Sequence, residues 1–115
     1  MVDIQRGDIV YAETRGHELR KKRPAIVIQN DIGNEASPTT IIAPASSGSS
    51  PYPFQVNVTA ATSDFKTDSY VMLDQIRTID INERILETFG SLDAQIMTEI
   101  DRAIEISLGL RTTDD

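Results

Sequence analysis

Hydrophobic and polar positions run in short strand-like stretches through the first two thirds of the chain, and a helical period appears only near Ser91. Asp8 to Glu13 is short, β-branched and aromatic. A polar stretch from Thr14 to Lys22 separates it from Pro24 to Gln29, and both apolar segments predict strands. Asn30 to Asn34 reads as a turn, because Gly33 and the asparagines tolerate positive φ. Thr39 to Ala43 predicts a third strand, whose regular pairing Pro44 is expected to end or confine to an edge. Ser46 to Pro53 is rich in Ser, Gly and Pro and predicts a loop. Phe54 to Thr59 alternates, and Ser69 to Leu73 and Arg77 to Ile79 complete the strands.

Leu92, Ile96, Ile100, Ala103, Ile104 and Leu108 then recur at steps of three and four, which aligns them on one face of a helix. Ser91 is a candidate cap, Asp93 suits the first turn and Gly109 the end. A second short helix is expected from Asn82 to Leu86. Short strands followed by one amphipathic helix predict an α+β, mainly β, architecture: a strongly bent antiparallel sheet or barrel with the helix packed on it. The length of 115 residues fits one domain, 1–115.

Composition narrows the chemistry. There is no cysteine, which removes disulfides, thiolate metal sites and thiol nucleophiles and agrees with a reducing cytoplasm. No apolar run is long enough to cross a bilayer, so no membrane partner is expected. The net charge of -7 argues against a polyanionic partner until its distribution is read. Residues 1–30 carry six basic and four acidic side chains, residues 31–79 two and five, and residues 80–115 three and nine. Arg15, Arg20, Lys21, Lys22 and Arg23 crowd together, and such a cluster reads either as a solvated loop or as an anion-attracting surface.

Nucleotide-binding glycine loops are absent, His17 is the only histidine, and no GxSxG elbow exposes a serine, so no cofactor or metal is expected. What remains is arginine beside hydroxyls and carboxylates: Arg23 and Arg77 with Ser46, Ser47, Thr78, Glu18 and Asp74. Cleavage of RNA by its own 2′-hydroxyl needs charge stabilisation at the phosphorane, a proton acceptor at the 2′ oxygen and a donor at the 5′ oxygen. The planar guanidinium fork suits the first requirement.

Several segments carry a resemblance to a known family. Arg6-Gly7-Asp8-Ile9-Val10, Gly16-His17-Glu18, Arg23-Pro24, Val27-Ile28-Gln29-Asn30-Asp31, Ser37-Pro38-Thr39 and Asp74-Gln75-Ile76-Arg77-Thr78-Ile79-Asp80 resemble, in this order and over nearly the whole chain, the MazF/PemK/Kid toxin endoribonucleases of type II toxin-antitoxin systems. The resemblance implies an SH3-like barrel with a C-terminal helix, the fold shared with CcdB toxins. It also implies a homodimer and metal-independent cleavage of single-stranded mRNA at short sequences to 2′,3′-cyclic phosphate and 5′-hydroxyl ends. By position it makes Arg23 the catalytic arginine, and it puts Ser46 where the MazF branch usually has a catalytic threonine. It extends RNA binding or proton transfer to His17, Glu18, Asp74, Gln75 and Arg77, and the same surface is expected to include Lys21, Lys22 and Ser47. Met72 stands where the Kid branch has a proton-donating arginine. Glu18, His17 and Asp74 remain alternatives for the general base.

Two other functions share this outline. A CcdB-like gyrase-binding toxin depends on a tryptophan-containing end, and this chain has no tryptophan. A catalytically inactive RNA-binding barrel is the other. The charge distribution further predicts a cognate antitoxin whose acidic, disordered tail competes with RNA for the arginines.

Overall fold

Apolar residues are continuous from Pro24 to Ile28, which is possible on a strand only if both of its faces are covered. The computed structural model, which describes residues 2–15 and 20–113 with the side chains of 14, 15, 20 and 21 excepted, has that arrangement. β1 (Asp8–Arg15) and β2 (Arg20–Val27) pair antiparallel from Ile9↔Ile26 to Arg15↔Arg20. Ile9, Ile26 and Ile28 face one apolar cluster; Val10, Ala12, Ala25 and Val27 face a second on the other side. The polar stretch expected to separate the strands is thus largely strand itself, since paired backbones impose extension irrespective of side-chain polarity. His17, Glu18 and the side chain of Lys21 lie outside the described residues.

Arg6 and Gly7 fasten the entry to β1. Gly7 adopts φ 95°, Arg6 Nε donates to the Ile28 carbonyl at 2.8 Å, and its Nη2 meets Asp101 at 2.6 Å.

The expected turn after β2 is a one-and-a-half-turn helix, α1 (Asp31–Ala36). Asn30 caps it by accepting from the Gly33 N–H at 2.8 Å. Asn34 is buried, accepts from Thr40 Oγ1 at 2.6 Å and Gln29 Nε2 at 3.1 Å, and donates to the Gln29 carbonyl at 3.0 Å. This network supplies the stability that a short helix containing Gly and Asn lacks.

β3 (Thr39–Ser47) does not end at Pro44. It pairs with β2 through Pro44 itself, opposite Ala25, while its other partner changes there. Thr39 to Ile42 pair with β6 (Arg77–Asp80), and Ala45 to Ser47 pair with β5 (Ser69–Met72). A residue without an N–H fits between two partners, where no ladder bond is required of it. Ser46 and Ser47 therefore stand on a strand rather than in the loop expected from Ser46 onward.

β4 (Gln55–Val58) pairs with β5, and a 3-10 turn at Ala60–Thr62 follows it. After β6 come α2 (Ile81–Arg84), one residue earlier than expected and shorter, and β7 (Ile85–Ser91), which periodicity does not announce. β7 pairs with β1, so the seven strands follow β4-β5-β3-β2-β1-β7 with β6 beside β3. Closure into a barrel is not achieved by hydrogen bonding: among the described residues no ladder joins β4 to β7. At that gap a side chain replaces the missing ladder, with Ser91 N–H donating to the Asp64 carboxylate at 3.2 Å. A methyl group at Gly90 would lie 2.5 Å from the same carboxylate, so glycine permits the approach.

α3 (Ala94–Ser107) covers the first cluster and lies against β4, with Ile100 and Ala103 fully enclosed and Ile96 and Ile104 packed beside them. Its cap is Asp93, which accepts from the Ile96 N–H at 2.8 Å, rather than Ser91. Gly109, at φ 74°, donates to the Ile106 carbonyl while Leu110 donates to that of Glu105, the paired closure of a left-handed C-terminal cap. Leu108 sits at that cap and is exposed, although the helical stripe would bury it.

Candidate functional site

The last β2–β3 pair is Ala25↔Pro44, and continuing the antiparallel register by two residues brings Arg23 level with Ser46. The two strands stop pairing there and a cleft of about 460 Å³ opens. Lys22, Arg23 and Pro24 of β2 form one wall with Tyr11 of β1 and Phe89 of β7. Ala45, Ser46 and Ser47 of β3 with Ser69 of β5 form the other, and Phe65, Lys66 and Thr67, which precede β5, line the cleft as well.

Aromatic packing stiffens the first wall. Tyr11 and Phe89 stack with ring centroids 4.4 Å apart, and Phe65 meets Phe89 edge-on at 6.3 Å. Lys22 Nζ lies 4.4 Å from the Tyr11 centroid and 3.3 Å from Glu87 Oε2, so its charge is partly engaged. Arg23 is exposed and, among the described residues, has no carboxylate partner. The hydroxyls of Ser46 and Ser47 likewise make no hydrogen bond to a described residue. A charged fork and the unengaged Ser46 hydroxyl level with it are suited to receiving an anionic group with several oxygens.

The sequence-predicted residues fall into separate places. Lys22, Arg23, Ser46 and Ser47 come together in the cleft. Asp74, Gln75 and Arg77 do not line it: Asp74 accepts from Gln55 Nε2 at 3.0 Å, Gln75 closes a turn onto the Met72 carbonyl, and Arg77 stands on β6 opposite Ile42. Tyr11, Phe65, Lys66, Thr67, Ser69 and Phe89 line the cleft without having been singled out. Tyr11 had a readable signal, an aromatic between the small or branched positions Val10 and Ala12, but Phe89 depends on an unforeseen strand. Among the described residues no group of three His, Cys, Asp or Glu side chains is arranged to hold a metal ion.

The cleft and its surrounding sheet have close relatives. The chain belongs to the PemK-like, MazF-like toxins of type II toxin-antitoxin systems, the family model matching residues 5–108. It is 40% identical over 112 residues to Endoribonuclease EndoA of Bacillus subtilis, covering 93% of this chain and 96% of that protein. It is 38% identical over 116 residues to Endoribonuclease MazF of Staphylococcus epidermidis, covering 96% of each. Among solved structures, a mycobacterial endoribonuclease in complex with its cognate antitoxin has a TM-score of 0.81 at 20% identity over 94% of this chain and 97% of that one. A MazE-MazF complex from Deinococcus radiodurans has a TM-score of 0.80 at 23% identity, over 96% and 100%. These structures share the fold. No described helix is long and apolar enough to cross a membrane.

Proposed function

We propose that this chain is a metal-independent endoribonuclease that cuts single-stranded mRNA at short sequences, as the toxin partner of an antitoxin in the cytoplasm. The observation that carries the reading is the cleft in which Arg23, free of any described carboxylate, stands level with Ser46. In the reaction the ribose 2′ oxygen attacks the adjacent phosphorus and gives its proton to a base. The bond from phosphorus to the 5′ oxygen breaks, and that oxygen takes up a proton, leaving 2′,3′-cyclic phosphate and 5′-hydroxyl ends. In this reading Arg23 stabilises the charge that develops on the phosphorane and supplies the proton to the leaving oxygen. Ser46 orients a phosphate oxygen through its hydroxyl. Asp74 is a poor base for this cleft, being outside it and engaged by Gln55, which leaves Glu18 and His17. The active species in this reading is a homodimer, and the antitoxin's acidic tail occupies the cationic wall.

Purified protein incubated with RNA in EDTA is expected to retain full cleavage, with cyclic phosphate recovered at the new 3′ ends. Loss of activity on chelation and its return with magnesium or manganese would refute the mechanism.

A further inference from the structure

Nothing in the hydrophobic pattern distinguishes Lys66, yet residues 63–69 are built to present it. Ser63 Oγ donates to the Thr59 carbonyl at 2.7 Å and accepts from the Phe65 N–H at 3.2 Å. Asp64 is latched to β7 at Ser91, and Phe65 is sunk in the core against Phe89. Downstream, the Asp68 carboxylate accepts from the Ala60 N–H at 2.8 Å and its carbonyl accepts from the Gly48 N–H at 2.9 Å. That last bond ties the segment to the chain leaving Ser46 and Ser47, where Gly48 turns at φ 113°. Ser69 Oγ closes the segment by donating to the Thr67 carbonyl at 2.9 Å. Lys66 thus projects from backbone anchored on both sides, and it lines the cleft.

Its charge is also unspent. In a chain with 18 carboxylate side chains against 11 lysines and arginines, the geometry gives Arg6 to Asp101, Lys22 to Glu87 and Arg111 to Glu105. Among the described residues Lys66, like Arg23, has no such partner. Arg77 and Arg84 have none either, but they lie outside the cleft. Among the described residues Arg23 and Lys66 are thus the cations without a carboxylate partner that line the cleft.

We propose that Lys66 binds a second RNA backbone phosphate in the cleft that presents Arg23, so that the strand is held there by two cations. This rests on the ribonuclease reading above. Each cation that neutralises a phosphate of a single strand releases counterions and steepens the salt dependence of binding by about 0.7 in log K against log salt.

The test is fluorescence anisotropy with a short random-sequence 2′-O-methyl RNA, which lacks the attacking hydroxyl and cannot be cut, titrated over a range of KCl concentrations. Lys66→Gln is expected to bind more weakly with a slope shallower by about 0.7, and Lys66→Arg to restore the slope. Arg102→Gln, the same change in net charge on α3 away from the cleft, is expected to leave it unchanged. An unaltered slope in Lys66→Gln, alongside weakened binding by Arg23→Ala, would overturn the role of Lys66 and leave the RNA cleft standing. An equal loss of slope in Arg102→Gln would also overturn it, by assigning the effect to net charge. Wild-type protein that neither binds this RNA nor cleaves its unmodified counterpart would remove the ribonuclease reading itself.

Discussion

The two ends of β3 differ in what happens to their hydroxyls. At the first end Thr40 is fully buried and its hydroxyl is spent on Asn34, which is held in turn by Gln29. At the other end Ser46 and Ser47 carry hydroxyls that no described group engages, and Ser46 stands level with an arginine that has no carboxylate partner among the described residues. Satisfied buried groups specify a structure; unsatisfied groups at a cleft are available to a ligand. Much of the recognisable run from Val27 to Asp31, with Ser37 to Thr39, belongs to the first end, so it identifies the scaffold more than the chemistry.

That contrast can be broken by substitutions at each end. The largest effect is expected from Arg23→Ala, which should cost about 3 kcal/mol of transition-state stabilisation, on the order of a hundredfold in cleavage rate, without shifting thermal unfolding. Arg23→Lys should remain poor, because a point charge does not reproduce the fork. Near-normal turnover in the alanine variant would move Arg23 to the structural side of the comparison. Asn34→Ala should do the reverse, strands the Thr40 hydroxyl in the core, and lower stability by about 2 kcal/mol in denaturant titrations. Its specific activity, measured well below its melting point, should be close to wild type. Ser46→Ala is expected to slow cleavage roughly tenfold, the value of one good hydrogen bond in the transition state, and Ser46→Thr to preserve it. Equal rates for the serine and alanine proteins would leave the second end of β3 without a chemical role. The smallest effect should come from Glu87→Gln, which releases Lys22 from an exposed pair and changes stability by no more than about 0.5 kcal/mol. A large loss of stability there would show that the cleft wall is held by charge rather than by the Tyr11–Phe89 stack.

The strands and the C-terminal helix are legible because burial imposes a period on them: Ile96, Ile100, Ala103 and Ile104 meet the core as their spacing predicts. α1 and β7 are not. Asn30 to Ala36 has the composition of a turn, and it is helical because Asn34 is fixed by Gln29, just past β2, and by Thr40 on β3. β7 has only Ile85 fully buried and ends in the Gly90 contact, so it has no alternation to read. In the site, residue chemistry leaves Arg23 and Ser46 among several candidates and only the resemblance singles them out, since neither spacing nor burial marks them. Lys66 and Phe89 enter through packing between segments remote in sequence, which no local pattern records.

The exchange of partners at Pro44 also bears on how this protein can be disarmed. A single strand spans the interior and the reactive cleft, so its two ends belong to one cooperative unit, and amides such as those of Ala45 and Ser47 should exchange with solvent only when the whole chain opens. Hydrogen exchange at those amides as slow as at Ile42 would demonstrate this; markedly faster exchange would show that the cleft melts separately. With exchange that slow, a toxin built in this way has no half-folded dormant state to fall into, and it is silenced either by something seated in the cleft or by losing its structure entirely.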